Sequence, residues 1–254
     1  MPQMRPAARH TGPGTLFTKQ SIYEQSLTQK HELGDRLCIG DRTFFYASAG
    51  EQLYAGNLCE GAIYGGSTTT LQTTTAVTVA AVAGAKRIYV NALTTAQAAN
   101  LYVDGWIAVF DATTTGKCWL FKIKGNSALL TSGVTSYVDL YDELPEALAT
   151  DDQCEIMTNP YKSVAQLNAS QVGAPIGVAP INVTIAYFFW LQTYGPAAVY
   201  PEAALDSGED VVASDAVDGS VCKRASAAES PVVGYAMHIG TAAEASIVFL
   251  TIRA

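Results

Sequence analysis

The sequence predicts an all-β protein with little helix, built as an extended N-terminal arm followed by two small modules of β-barrel or β-sandwich type. Three observations lead there. Short stretches rich in β-branched and aromatic residues alternate with a period near two. Gly-, Pro- and Asp-bearing turns separate them at short intervals. No helix of ordinary length alternates with these strands, which argues against α/β layering. The 254 residues are 49% apolar and 15% charged, a composition that supplies a sizeable core and excludes wholesale disorder.

The elements follow in chain order. Residues 1–36 carry Pro2, Pro6, Gly12, Pro13 and Gly14 and show neither a helix nor a strand period. Five basic residues face three acidic ones there, a net +2 against −10 on the remaining 218 residues. This is the pattern of an arm that orders on a partner surface, with Leu16, Phe17, Ile22, Tyr23 and Leu27 as its apolar contacts. At ~3.3 Å per residue it would reach on the order of 100 Å when extended.

Strands are predicted at 37–40 and 43–47 around the break Gly40-Asp41-Arg42, then at 86–92, 106–112, 117–124 and 134–140. The Thr-rich stretch 65–75 reads as an exposed loop or a strand edge. A short helix is predicted at 140–149, where Asp142 and Glu143 make an acidic first turn. Strand texture resumes at 183–193, 197–200, 210–213, 220–223, 232–238 and 246–252. Pro160, Gly173, Pro175 and Gly177, with few charges around them, place a boundary within 159–178 and divide the body into modules 37–160 and 161–254. Within the second, Tyr187-Phe188-Phe189-Trp190 with Tyr194 is apolar on both faces of a strand. Such a strand is covered on both sides, either in one core or by a neighbouring subunit.

Chemistry-bearing patterns are sparse. A net charge of −8 without a Lys/Arg block excludes nucleic-acid binding over the whole surface. The apolar runs 76–85 and 186–191 fall short of the ~20 residues that cross a bilayer, so no membrane partner is expected. The opening 14 residues lack a signal-type apolar stretch, which predicts synthesis in a cytoplasm. Cys38, Cys59, Cys118, Cys154 and Cys222 are widely spaced with no C-x-x-C, the pattern of buried reduced thiols rather than of a disulfide framework or metal site. Of His10, His31 and His238, only the last falls in the predicted body, leaving a catalytic triad without support. Asp142, Glu143, Glu146, Asp151 and Asp152 form one acidic cluster; Asp206, Glu209, Asp210, Asp215 and Asp218 form another. Neither has a Ca²⁺-loop spacing, and both are expected to be solvated loops. No catalytic residue, cofactor or metal is assigned.

Two blocks carry a resemblance. Gln29-Lys30-His31-Glu32-Leu33-Gly34, Thr43-Phe44-Phe45-Tyr46-Ala47, Ala49-Gly50 and Leu53-Tyr54-Ala55-Gly56 look like the opening of virion structural proteins of tailed phages. Gly177-Val178, then Tyr187 to Ala197 with its aromatic-x-x-W-x-Q-x-x-G-P phrase, then Gly219 and Val233-Gly234-Tyr235-Ala236, resemble their C-terminal module. In that phrase Gly195-Pro196 is expected to end a strand ladder. The resemblance is to head decoration (cement) proteins. It implies β modules on the outer surface of the assembled head, a homotrimer clamping neighbouring copies of the major capsid protein, and no catalytic residues. The alternative is a tail or fibre component that stacks a host glycan on Trp106, Trp119 or Tyr194. A glycan hydrolase using an acid pair from the two clusters is a third reading.

Overall fold

The computed structural model describes residues 20–61, 72–91, 93, 96–111, 118–131, 136–150, 152–169, 174–225, 232–241 and 244–253. Among them are sixteen strands and no helix. They are β1 (Arg36–Ile39), β2 (Arg42–Ser48), β3 (Leu58–Glu60), β4 (Gln72–Val79), β5 (Arg87–Val90), β6 (Trp106–Phe110), β7 (Cys118–Asn126) and β8 (Tyr137–Leu140). Then follow β9 (Gln153–Met157), β10 (Ala165–Gln166), β11 (Pro175–Val178), β12 (Phe188–Val199), β13 (Asp210–Ala213), β14 (Val221–Lys223), β15 (Val232–Ala236) and β16 (Ser246–Thr251). The all-β class is as the sequence predicts.

The division of the chain is not. One unit joins Met1–Tyr64 to Tyr161–Ala254, and Gly65–Pro160 forms the other. The expected module 37–160 therefore splits. Its first strands belong with the C-terminal part because β2 pairs with β12 from Phe188↔Ser48 to Tyr194↔Thr43, and β3 lies between β10 and β11. The units change over after Pro160 and after Tyr64, the latter beside the Thr-rich sequence.

The first unit is a sheet in the order β10-β3-β11-β12-β16-β15-β13-β14, with the β1–β2 hairpin joined to β12. Strand β12 is its axis. Phe188 and Trp190 pack on one side with Ile22, Leu33, Phe44 and Tyr46, while Phe189 and Leu191 pack on the other with Phe45, Ala47, Leu53 and Val183. Its far half adds Ala197 and Val199 to a third cluster with Val211, Val233, Val248 and Leu250. Period-two alternation thus feeds three cores from one strand.

Gly195-Pro196 does not end the ladder. Strand β12 runs on to Val199 and changes partner there, from β2 up to Tyr194 to β16 from Tyr194 onward. Gly195 has φ +85°, and a Cβ on it would lie 2.3 Å from the Asp41 carbonyl oxygen of the β1–β2 turn. Only glycine fits that approach. Gln192 Nε2 donates to the Pro196 carbonyl at 2.8 Å, and the Thr193 hydroxyl donates to the Arg253 carbonyl at 2.6 Å, so the handover is internally bonded.

The expected arm also divides. Leu16 and Phe17 lie outside the described residues, but residues 20–36 are part of the first unit. Trp190 Nε1 donates to the Gln20 carbonyl at 3.1 Å, the Tyr46 hydroxyl donates to Gln20 Oε1 at 2.8 Å, and Ser26 and Phe188 exchange backbone bonds. The segment is held because it satisfies the polar tips of two buried aromatics.

The second unit is a closed barrel in the order β4-β5-β8-β7-β6-β9, with β9 paired to β4. Strands β6, β7 and β8 are consecutive neighbours and β9 returns beside β6, a Greek key. Alternate residues point inward, among them Val77, Ile88, Ile107, Val109, Phe121, Ile123, Val138 and Ile156. Where it is described, the Thr-rich stretch is strand rather than loop: Gln72 to Thr75 pair with β9, and the pairing of β4 with β5 begins at Val77; Thr68 to Leu71 lie outside the described residues. The predicted helix at 140–149 is an irregular extended segment. Leu144 and Leu148 donate to the carbonyls of Ala85 and Ala81, pairings a helix would forbid, and Pro145 lies between them. Their four-residue spacing imitates a helix face. The stretch 159–178, where the boundary is expected, contains β10 and β11; Gly177 is there because a Cβ would lie 2.6 Å from Leu191 Cγ.

Candidate functional site

The predicted contact residues separate by burial. Ile22 is 6% exposed and is a core residue, whereas Tyr23 and Leu27 are each 64% exposed. A tight turn presents Tyr23: Glu24 N–H donates to the Ser21 carbonyl, while the Glu24 carboxylate accepts from Ser21 N–H at 2.9 Å. Gln25 Oε1 ties the segment to the sheet unit by accepting from Thr184 N–H at 2.7 Å. Of the aromatic run, Phe189 and Trp190 are buried, and Tyr187, Phe188 and Tyr194 are half-buried. The run is a core strand for its first half.

Beyond Gly195 the same strand opens onto an apolar surface. Pro196 and Ala198 stand opposite Phe249 and Ile247 of β16, and Phe249 stands opposite Tyr235 of β15. The Tyr235 and Phe249 rings stack at 5.2 Å and 9°, and Tyr194 meets Phe249 edge-on at 5.2 Å. Ile247 is 51% and Tyr235 41% exposed. No charged side chain stands among these outward positions; the border at β13 is Asp210, 3.9 Å from Arg224. A groove of about 240 Å³ adjoins the face, lined by Pro196 and Ala198 together with Tyr23, Tyr200, Arg42 and Pro180. One continuous surface of aromatic, proline and aliphatic side chains results, with Tyr23 and the charged Arg42 at its rim. Exposed apolar surface of this kind marks an interaction site. No motif marks Tyr200, Ile247 or Phe249 as contact residues, although 246–252 alternates between two apolar faces just as 187–191 does.

The remaining candidates are divided between the two units. Trp106 is half-buried opposite Lys122 on the barrel, and Trp119 is partly buried against the barrel core, while Tyr194 belongs to the sheet unit. Asp152 is buried rather than solvated and accepts from Ala149 N–H at 2.9 Å. Glu209 and Asp218 likewise accept backbone N–H groups, from Asp206 and Ala169. Asp142, Glu143, Glu146, Asp206, Asp210 and Asp215 are exposed; Asp151 lies outside the described residues. His31 packs against the Tyr46 and Trp190 rings at 5.0 and 4.9 Å, so it belongs to the folded unit; His238 is exposed, with Nδ1 2.6 Å from the Ile239 carbonyl oxygen, and His10 lies outside the described residues. Among the described residues no cluster of His, Cys, Asp and Glu has metal-holding geometry.

The cysteines divide as well. Cys38 and Cys118 are exposed and Cys222 half-buried, against the expectation of five buried thiols. Cys38 lies within β1 of the β1–β2 hairpin, and Cys118 begins β7. Burial pushes the thiols of Cys59 and Cys154 up to about 12.

No protein-family model matches the chain, and no curated protein matches it. Among solved structures it is similar to the N base of head fibre gp8.5 of bacteriophage phi29, at 9% identity, over 71% of this chain and 95% of that one, with a TM-score of 0.27. A superposition that loose transfers neither fold nor role.

Proposed function

We propose that the chain is a tailed-phage virion protein of the head-decoration type. It binds the outer surface of the assembled head, clamps neighbouring copies of the major capsid protein, and acts by contact rather than by catalysis, as a homotrimer. The observation that carries this reading is the uncharged face of Tyr194, Pro196, Ala198, Tyr235, Ile247 and Phe249 with Tyr23 beside it. A protein that reinforces a shell does so through buried area, at roughly 25 cal/mol per Å² of apolar surface. Repeating the face on each subunit of an oligomer multiplies the effect through avidity. The resemblance supports the same reading, since its most specific phrase is the stretch where β12 passes from core strand to exposed face.

Co-sedimentation with expanded heads lacking the protein tests it. Saturable binding of the full chain at a fixed ratio to the shell protein is expected. Ile247→Lys and Tyr23→Asp, each with an unchanged melting temperature, should weaken it at least tenfold. Failure of the full chain to bind heads overturns the proposal.

A further inference from the structure

The barrel carries a second feature of different chemistry. A cleft of about 470 Å³ opens on its wall, lined by Lys86, Asn100, Lys124, Gly125, Asp139 and Leu140. It exists because β7 slips register against β8 between Ile123 and Gly125, and because Gly125 has no side chain to fill the step. Asn100 closes one end from a left-handed turn with φ 60°, its N–H donating to the Asn126 carbonyl at 2.9 Å. A Cβ on Gly125 would come within 3.3 Å of Asn100 Oδ1.

The charges are arranged unevenly. Residues 65–160 hold five basic and nine acidic residues, yet Lys86, Arg87, Lys122 and Lys124 lie on or beside the adjoining strands β5 and β7, either side of β8. The cleft's single carboxylate is taken: Arg87 bonds both oxygens of Asp139, at 2.7 and 3.0 Å, and lies 3.7 Å over the Tyr137 ring. Lys86 lies 3.6 Å from Glu143, with both side chains more than half exposed. Lys124 is exposed and makes no ion pair among the described residues.

We propose that this cleft binds an acidic sugar: a uronic-acid unit whose carboxylate lies between the Lys86 and Lys124 ammonium groups and whose hydroxyls reach Asn100 and Asp139. An anion is required because the cleft offers two cations against one carboxylate already neutralised in a bidentate pair. A sugar rather than a bare ion fits because the volume lies in the range of organic ligand sites and the polar groups are spread along it. Open at the surface, the cleft lets a longer acidic glycan continue past it. Nucleic acid is disfavoured because single-strand binding relies on aromatic side chains that stack the bases, and Lys86, Asn100, Lys124, Gly125, Asp139 and Leu140 line the cleft.

Calorimetric titration of the full chain with glucuronate, galacturonate and their tetramers tests this, with cellotetraose and inorganic phosphate as the uncharged and sugar-free controls. Uronate binding should weaken with added salt. It should fall about tenfold in Lys124→Gln and strengthen in Glu143→Gln, which releases Lys86; both substitutions are on exposed side chains, and an unchanged melting temperature confirms folding. Absence of uronate binding, equal binding of phosphate or cellotetraose, or insensitivity to Lys124→Gln overturns the assignment. Head binding is read separately, by co-sedimentation of the same variants, and is expected to be unaffected.

Discussion

At the scale of residues, the two buried thiols make the sharpest statement about stability. Cys59 and Cys154 ionise near the ordinary 9.0 in the unfolded chain and only at about 12 in the folded one, desolvation being the main cause; for Cys154 the neighbouring Asp152 charge adds to it. Between those values the unfolded state has lost protons that the folded state keeps, so stability falls as pH rises from 9 toward 12. Each thiol contributes to that loss, on the order of 1 kcal/mol per pH unit within the window. Urea midpoints of the wild type should therefore decline steeply from pH 9 to 11, and Cys59→Ala with Cys154→Ala should decline less. An identical slope in the double variant would show that other groups govern alkaline unfolding. At pH 8 a thiol reagent should label Cys38 and Cys118 and spare this buried pair until the chain unfolds.

At the scale of elements, the segment 20–36 shows where function and folding compete for the same residues. An apolar residue between polar ones in a strandless stretch reads as a contact for a partner, and Tyr23 and Leu27 remain available for that. Ile22 and Leu33 instead cover Tyr46 and Trp190, the latter more than 150 positions away, a pairing that no local pattern announces. Removing residues 1–35 would therefore strip the core as well as any anchor. A chain beginning at residue 36 should melt roughly 10 °C lower than one beginning at residue 20, comparable to the about 3–5 kcal/mol expected for Trp190→Ala. Equal melting of both truncations would mean that the segment contributes nothing to the sheet. Legibility followed the same rule elsewhere. Strands such as β2, β6, β12 and β16 show in the sequence because their alternation is carried by large apolar residues. Strands β9 and β11 went unread because Gln153, Glu155 and Gly177 dilute the pattern, and Leu140, Leu144 and Leu148 mimicked a helix at four-residue spacing.

At the scale of the whole molecule, the arrangement is an insertion. Sequence reading assumes that neighbours in the chain are neighbours in space, which is why a single boundary near 160 divided the body in two and the strands before 64 were assigned to the wrong module. The register explains how the interruption is tolerated. Glu60 and Ala165 are paired partners on β3 and β10, so the sheet unit leaves off and resumes within one strand spacing, about 4.5–5.5 Å. Gln72 and Met157 are likewise paired on β4 and β9, so the two ends of the barrel also meet. Each unit has a hydrophobic cluster of its own. Ends that meet and a core that is self-contained are the conditions under which a domain folds by itself. Residues 65–160 expressed alone should give a cooperative urea transition and retain the proposed uronate site. Replacing them by a short Gly/Ser linker should leave the remaining chain folded, with its apolar face and head binding intact. If either piece unfolds without the other, the two units depend on each other for stability and the insertion is structural rather than modular.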